Sequence, residues 1–393
     1  MMEWHLLELL IIYLKRKSGN LIKILQGFVT DQNGGISQYI YNNYKYINKE
    51  KYQYDFIYLN EKPSYFDECA SLGARFYYLP RKIKFISYLR RLYNIIRFGN
   101  YDIICFNISF ADAIPVLISK LAGAKSIILH AHSTSIEHDK NYKRLALYIY
   151  HKFSKLIYKL LNITVYCACS KEAGKFVFGD TVLQKQKLKI LHNAIDVNKF
   201  TFDSKKRAVI REQLGIKSDQ FVVGHIGRFS YAKNHDFLID IFNEIIKQNR
   251  KAVLILVGKG PLEDLIRKKV KNLGLCNSVK FLGTRKDIPN LLCGFDCLIL
   301  PSRFEGFGIV GLEAQASGLY TYFSDCIPSD IAVTELAIPI SLKGGSKRWA
   351  SEILLKGKSV RRIMLKPINE AGYNIVNEIS RIENIYENIK WRL

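Results

Sequence analysis

The sequence predicts an α/β protein with two doubly wound parallel sheets, one in each half of the chain. At 393 residues the chain is long enough for two domains, and 48% hydrophobic residues supply a core for each. In both halves, short apolar runs that suit buried parallel strands alternate with longer helix-forming stretches. We place the domain boundary near residue 200, before a charged stretch at 203–207, which gives domains at 21–200 and 201–370.

In the first domain, a strand at 21–27 is followed by Gly34 and Gly35, which open a helix. Such a pair lets the backbone approach a ligand, although most Gly-Gly pairs are plain turns. His130 and His132 follow a later strand, and ligands of these sheets bind beyond the carboxyl ends of strands. A histidine at a strand end can also be purely structural. Further strands of this domain are predicted at 56–59, 75–79, 102–106, 126–129, 164–168 and 188–191.

The second domain repeats the pattern. Its first strand ends at Gly227 and Arg228, and Lys233 lies just before the next helix. An arginine and a lysine at a strand end can neutralise a diphosphate, although a basic loop is usually only solvated. Two later strands lead into turns at Gly258 and Arg285. Strands of this domain are predicted at 221–229, 252–257, 279–283, 297–300 and 320–323.

Residues 296–318 combine a buried strand, a glycine turn and a helix. Gly306 and Gly308 allow a tight turn, and the unpaired N–H groups at the start of the following helix attract phosphates. Glu305 and Glu313 flank that helix start. A carboxylate repels phosphate, so each one beside such a site is expected to bind hydroxyl groups. The stretch therefore predicts a site for a sugar joined to a nucleotide diphosphate, although two Glu at this spacing alone could arise by chance.

The net charge of +24 favours polyanionic partners: nucleic acid, an acidic membrane surface or phosphorylated ligands. We find no RNA-binding signature, zinc spacing or recognition-helix pattern, so nucleic acid is not expected. The eight cysteines form no Cys-x-x-Cys pair. That usage is typical of reduced core thiols in a cytoplasmic protein.

Two predicted helices, at 81–97 and 143–160, mix basic and aromatic residues. Such helices suit an anionic bilayer surface, although each could instead bury one face and solvate its charges. Residues 1–20 hold an apolar run too short to span a bilayer, followed by three basic residues. This segment is either an interfacial helix or not native. We expect a peripheral contact with the inner face of the cell membrane.

The stretch Pro-Ser-Arg-Phe-Glu-Gly-Phe-Gly at 301–308, with Glu305 and Glu313, resembles the Glu-x7-Glu signature of the retaining family 4 glycosyltransferases. The resemblance covers about residues 21–345 and is nearest to the capsular and exopolysaccharide branch. It implies the GT-B fold, in which two Rossmann-like domains face a central cleft. It also implies that the last helix, at 371–391, folds back across the first domain. The linker at 192–200 is similar to the family's, with Ala194 in place of a glycine.

The resemblance also implies roles for single residues. Glu305 would contact hydroxyls of the donor sugar and Glu313 the ribose, while His130 or His132, of which we favour His130, contacts the sugar. The catalytic candidates are Arg228, Lys233, Glu305 and His130. The donor-binding candidates are Gly227, Arg228, Lys233, Gly258, Arg285, Glu305, Gly306, Phe307, Gly308, Ile309, Val310 and Glu313. The candidates for the acceptor and phosphate loop are Gly34, Gly35 and His132.

The implied reaction moves a sugar from a nucleotide diphosphate, expected to be UDP, to a hydroxyl of a lipid-linked polysaccharide repeat unit, with retention of configuration. No Asp-x-Asp motif occurs, so we expect no metal, and no cofactor beyond the donor. Two other classes stay open. One is a non-catalytic basic scaffold or nucleic-acid-binding protein on a transferase fold. The other is a nucleotide-sugar epimerase or a phosphorylase.

Overall fold

Parallel β-sheets form the centre of both halves of the chain. The structure, a computed structural model, describes residues 21–29, 35–59, 62–80, 82–136, 141–161, 163–184, 187–358 and 360–390. The chain divides into two compact units, residues 1–193 with 375–393 and residues 194–374. The predictions made for residues 1–20 and for Gly34 lie outside the described residues. The predicted fold class, two α/β domains with parallel sheets, is confirmed.

The sheet of the first unit has the strand order β3-β2-β1-β4-β5-β6-β7, with parallel pairing throughout. Its strands are β1 (Ile22–Val29), β2 (Tyr52–Tyr58), β3 (Phe76–Tyr78), β4 (Ile103–Ile108), β5 (Ser126–Ala131), β6 (Val165–Ala168) and β7 (Leu188–Ile190). Its helices before residue 194, where the second unit begins, are α1 (Gly35–Tyr46), α2 (Phe66–Ser71), α3 (Phe85–Gly99), α4 (Ala113–Leu121), α5 (Asn141–Leu160), α6 (Lys171–Phe178) and α7 (Asp180–Gln184).

The sheet of the second unit has the order β10-β9-β8-β11-β12-β13 and is also parallel. Its strands are β8 (Phe221–Ile226), β9 (Ala252–Val257), β10 (Val279–Phe281), β11 (Cys297–Leu300), β12 (Tyr320–Ser324) and β13 (Ala337–Ile340). Its helices are α8 (Ser204–Gln213), α9 (His235–Gln248), α10 (Glu263–Asn272), α11 (Ile288–Gly294), α12 (Ile309–Ala316), α13 (Gly345–Lys356) and α14 (Leu365–Glu370), and short 3-10 turns lie at Val197–Phe200, Ser329–Ile331 and Leu342–Gly344.

Strand β2 begins at Tyr52, ahead of the predicted start at residue 56. The sequence there includes Asp55, a residue that strands disfavour. Asp55 is nevertheless buried, because its carboxylate accepts hydrogen bonds from the Tyr101 hydroxyl at 2.9 Å and from Arg75 N at 3.1 Å. Tertiary hydrogen bonds thus extend the strand through a residue that local propensity excludes.

The last helix, α15 (Ile375–Lys390), belongs to the first unit. It begins later than the predicted residue 371, because Gly372 has a φ of 84° and Asn374 forms a parallel bridge with Ile195. Within the first unit, the Tyr386 hydroxyl of α15 lies 3.0 Å from the Tyr54 hydroxyl of β2.

Helix α5 is attached to its unit through polar side chains. Nδ1 of His151 accepts a hydrogen bond from Ala111 N at 2.9 Å, and the Tyr158 hydroxyl accepts one from Asp112 N at 2.9 Å. These N–H groups precede α4 and would otherwise lack a partner. The other face of α5 is apolar and exposed, through Tyr142, Leu145, Ile149, Phe153, Leu156 and Leu160. Helix α5 thus buries the face that carries His151 and Tyr158, while most of its lysines and its apolar stripe are exposed.

None of the described helices is both long enough and apolar enough to cross a bilayer.

Asp296 links helix α8 to the start of two central strands of the second unit. Its buried carboxylate pairs with Arg207 at 2.6 Å and with the buried Arg211 at 3.3 Å. It also accepts a hydrogen bond from Val222 N of β8 at 2.8 Å. Because β8 and β11 are neighbours in the sheet, this network fixes the amino ends of the two strands whose carboxyl ends carry the candidate site.

We expect Asp296→Ala to destabilise the second unit by about 3–5 kcal/mol, because Arg211 would keep a buried charge without its partner. Urea unfolding followed by the fluorescence of the buried Trp349 measures this change. The control is Asp219→Ala, which removes an exposed carboxylate that pairs with Lys251 at 2.7 Å and should change little. Equal losses in the two variants would contradict the assigned role of Asp296.

Candidate active site

The candidate site lies where the strand order of the second sheet reverses, at the carboxyl ends of β8 and β11. Ligands of doubly wound sheets bind at this place, because the loops after the two strands diverge and leave a crevice. Hydrogen bonds to backbone carbonyls join the two loops here. Arg303 N donates to Ala232 O at 2.7 Å, and the Asn234 side chain donates to Pro301 O at 3.0 Å.

Three loops of the site approach one another backbone to backbone. Gly227 N donates to Val257 O at 2.9 Å, and Gly258 N donates to Gly283 O at 2.8 Å. Gly258 has a φ of 134°, and a Cβ there would lie 2.1 Å from Gly227 O. A side chain at Gly258 would therefore separate the loops after β8 and β9.

Arg228 and Lys233 supply positive charge to this crevice. Arg228 is exposed, and no hydrogen bond or ion pair of its guanidinium is found within the described part of the chain. Lys233 forms an ion pair with Glu305. Arg285 differs, because Asp287 already accepts two of its hydrogen bonds, at 2.8 and 2.6 Å. Arg228 is therefore the cation of this crevice that is found without a carboxylate partner among the described residues, whereas Lys233 and Arg285 are each paired with one.

Helix α12 begins directly after the glycine turn. Gly308 adopts a φ of 86°, and Ile309 is the first helical residue, so the first N–H groups of the helix lack partners within it. Phe307 is buried and stacks on Tyr373, with ring centroids 5.1 Å apart. It can therefore offer a ligand its backbone but not its ring. The glycine turn and the first residues of α12, from Gly306 to Val310, have a backbone geometry that suits an anion.

The two carboxylates of the signature have different surroundings. Glu305 pairs with Lys233 and accepts a hydrogen bond from the Ser302 hydroxyl at 3.0 Å. Glu313 on α12 is half-buried, and burial raises the pKa of its carboxyl to about 8. No charged or hydrogen-bonding partner offsets that shift within the described part of the chain. A ligand hydroxyl that donates to Glu313 would supply the missing partner.

Several supporting residues were not predicted. Ser302 is fully buried and bonds Glu305, and its carbonyl accepts a hydrogen bond from the Ser324 hydroxyl. Gln315 is fully buried on α12, where its side chain bonds Gly311 O at 3.0 Å and Ile331 O at 2.8 Å. In the sequence, the supporting roles of Ser302 and Gln315 are indicated only by the presence of a polar residue within an apolar segment.

His130 and His132 end strand β5 in the first unit, and both are buried. Nε2 of His132 lies 3.0 Å from Asn107 Oδ1, while Asn107 Nδ2 donates to Gln26 at 3.0 Å. Since the amide oxygen accepts, Nε2 of His132 carries the proton. Burial lowers the pKa of His130 and brings that of His132 to about 3, so both rings are neutral. Tyr39 packs against both rings.

The structure therefore brings part of the predicted site together. Gly227, Arg228, Lys233, Glu305 and the start of α12 with Glu313 converge in the second unit. Gly35, His130 and His132 belong to the first unit. Within the described ranges, no group of three or more His, Cys, Asp or Glu side chains could hold a metal ion.

Comparison with known proteins identifies the class of this fold and site. A family model described as Glycosyltransferase Family 4 matches residues 33–199, and one described as Glycosyl transferases group 1 matches residues 206–329. EpsF of Bacillus subtilis (strain 168), which its name places among the glycosyltransferases, is 31% identical over 362 residues, covering 90% of this chain and 93% of EpsF. The chain belongs to the family 4 glycosyltransferases, and the predicted family is confirmed.

Other relatives agree with this assignment. The UDP-Gal:alpha-D-GlcNAc-diphosphoundecaprenol alpha-1,3-galactosyltransferase of Escherichia coli is 27% identical over 323 residues, covering 77% of this chain and 80% of that enzyme. The crystal structure of HepE from Anabaena in complex with UDP-glucose superposes with a TM-score of 0.69 at 20% identity, covering 94% of this chain and 99% of HepE. The fold is therefore GT-B, and the protein is a transferase.

Proposed function

We propose that the protein transfers a sugar from a UDP-sugar to a hydroxyl of a lipid-linked saccharide, as one step in building a cell-surface polysaccharide. One observation carries the proposal: Arg228 and the Lys233–Glu305 pair lie together at the carboxyl ends of β8 and β11. The UDP-glucose in the HepE structure and the diphosphoundecaprenol named for the Escherichia coli relative support the choice of donor and acceptor.

The positive groups of the site would act on the leaving diphosphate. As the bond between the sugar and the phosphate opens, negative charge gathers on the phosphate oxygens. Arg228 can bind two of these oxygens at once, Lys233 adds a point charge, and the first amides of α12 add N–H donors. Since that charge is greater in the transition state than in the ground state, these groups lower the barrier more than they tighten ground-state binding.

The Lys233–Glu305 ion pair suits both ends of the donor. The two charges neutralise each other in a half-buried place. A UDP-sugar offers phosphate oxygens to Lys233 and sugar hydroxyls to Glu305, so each side chain exchanges one partner for another. Glu313 would accept hydrogen bonds from the ribose. Binding therefore leaves neither charge desolvated and unpaired.

We further propose that the configuration at the anomeric carbon is retained. The acceptor oxygen bonds to that carbon on the face that the phosphate leaves, and a phosphate oxygen takes the acceptor proton. The sugar–phosphate bond breaks, and UDP departs with the bonding electron pair. The two cationic side chains and the helix amides supply the charge compensation, so transfer should continue in EDTA.

Helices α3 and α5 of the first unit would bind the cytoplasmic face of the membrane. The apolar stripe of α5 faces away from its unit and is flanked by exposed Lys143, Lys152 and Lys159. Near α3, Ile83 is 91% exposed and Ile86 is 80% exposed. Apolar side chains with a basic border match the interface of an anionic bilayer. Such a contact would bring the enzyme to a lipid-linked acceptor.

Turnover of a nucleotide-sugar panel by wild type and Arg228→Ala tests the function. Wild type should release UDP from UDP-glucose, UDP-galactose or UDP-N-acetylglucosamine. Arg228→Ala should lose about 100-fold or more of that rate. Its unfolding midpoint should change little, because the Arg228 side chain is exposed and no hydrogen bond or ion pair of its guanidinium is found among the described residues. The control is Arg250→Ala, an exposed arginine before the amino end of β9. A scaffold would bind no UDP. An epimerase would convert the donor into another UDP-sugar without releasing UDP.

The affinity for UDP should depend on pH through Glu313. Ribose hydroxyls stabilise the ionised carboxylate, so binding lowers a pKa that burial holds at about 8. Affinity should therefore fall as pH drops from 9 to 6, by at most about tenfold per pH unit. Calorimetric titration of wild type and Glu313→Gln separates this effect from the titration of UDP itself. The same pH profile in both proteins would exclude Glu313 from the ribose site.

Liposome flotation tests the membrane contact. The protein should float with phosphatidylglycerol vesicles, bind neutral phosphatidylcholine vesicles less, and lose binding as salt rises. Replacing Ile149 and Phe153 with aspartate should abolish flotation without affecting the fold, since both side chains are exposed. Leu265→Asp, an equally exposed apolar position in the second unit, is the matched control. If wild type floats with neither lipid, the protein does not bind membranes by this face.

A further inference from the structure

We propose that Ser302 is a positioning residue that orients the Glu305 carboxylate toward the donor sugar; this inference rests on the proposed function. The Ser302 side chain is fully buried, and its hydroxyl donates to Glu305 Oε1 at 3.0 Å. The ammonium of Lys233 pairs with the same oxygen. Fixing one oxygen defines the direction in which the carboxylate faces the crevice.

Ser302 is itself held by rigid elements. Its carbonyl accepts a hydrogen bond from the hydroxyl of Ser324, which is fully buried at the end of β12. The next residue, Arg303, donates its N–H to Ala232 O at 2.7 Å. Strands β11 and β12 and the loop after β8 thus fix the serine on both sides. Glu305 lies beside Gly306 in the loop and depends on such an anchor for a single orientation.

The anchor matters most when the donor is bound. Both Lys233 and Ser302 contact the Glu305 carboxylate in the structure. A diphosphate competes for Lys233, because phosphate oxygens offer an ammonium more negative charge than a carboxylate does. Ser302 is uncharged and buried, so no part of the donor competes for its hydroxyl. Ser302 therefore keeps the Glu305 carboxylate in place while that carboxylate binds the hydroxyls of the donor sugar.

Ser302→Ala tests this role with the UDP-sugar of the panel that wild type turns over. We expect kcat/KM to fall roughly tenfold, the usual effect of losing a hydrogen bond to a charged group, while the Kd of UDP changes less than about twofold. UDP lacks the sugar, so its binding also reports that the variant is folded. The matched control is Ser317→Ala, a fully buried serine at the end of α12 whose hydroxyl accepts a hydrogen bond from Arg361 at 3.3 Å.

A double-mutant cycle separates positioning from a general structural effect. Glu305→Gln alone should lower kcat/KM more than Ser302→Ala does. In the Glu305→Gln background, Ser302→Ala should cost less than about twofold, because the serine acts through that carboxylate. Additive losses, or equal losses of UDP binding and turnover, would overturn the positioning role. If wild type neither binds UDP nor turns over a UDP-sugar, the proposed function fails, and the role of Ser302 fails with it.

Discussion

The ion pair between Lys233 and Glu305 is the interaction on which the proposed donor site depends. The two residues lie far apart in the chain and meet because β8 and β11 are neighbours in the sheet. The strand order reverses between these strands, so the loops after them diverge and leave room for a ligand. The same arrangement places Arg228 and the start of α12 beside the pair. Strand order therefore fixes the charge pattern of the site.

Buried polar groups keep this pattern rigid. At the amino ends of β8 and β11, Asp296 joins two arginines to the Val222 amide. At the carboxyl ends, Ser302 and Ser324 join β11 to β12. Along α12, Gln315 bonds Gly311 O, and its amide oxygen accepts from Thr334 N at 3.0 Å. Because each of these groups is satisfied only in one arrangement, they specify the positions of the loops that carry charge.

The sequence could predict those parts of the site that depend on residues close together in the chain. Strand β11 has the predicted bounds, and helix α12 begins directly after the predicted glycine turn, because an apolar run, Pro301 and the glycines are local signals. Ser302 could not be recognised, since its role requires the position of a side chain three residues later and of Ser324 on the next strand. The early start of β2 was missed for the same reason: Asp55 is stabilised by partners distant in the chain.

Helix α5 shows a different limit. Periodicity predicted an amphipathic helix but not which face would pack on the domain. The structure packs the polar face, because His151 and Tyr158 satisfy N–H groups before α4, and leaves the apolar stripe exposed. In the proposed membrane contact, an anionic bilayer would supply both the apolar and the charged partners of this stripe.

A crystal structure of the protein with UDP tests the central claim most directly. The account predicts the diphosphate between the Arg228 guanidinium, the Lys233 ammonium and the first amides of α12, with the ribose against Glu313. UDP bound elsewhere, or Arg228 and Lys233 directed away from the phosphates, would contradict it.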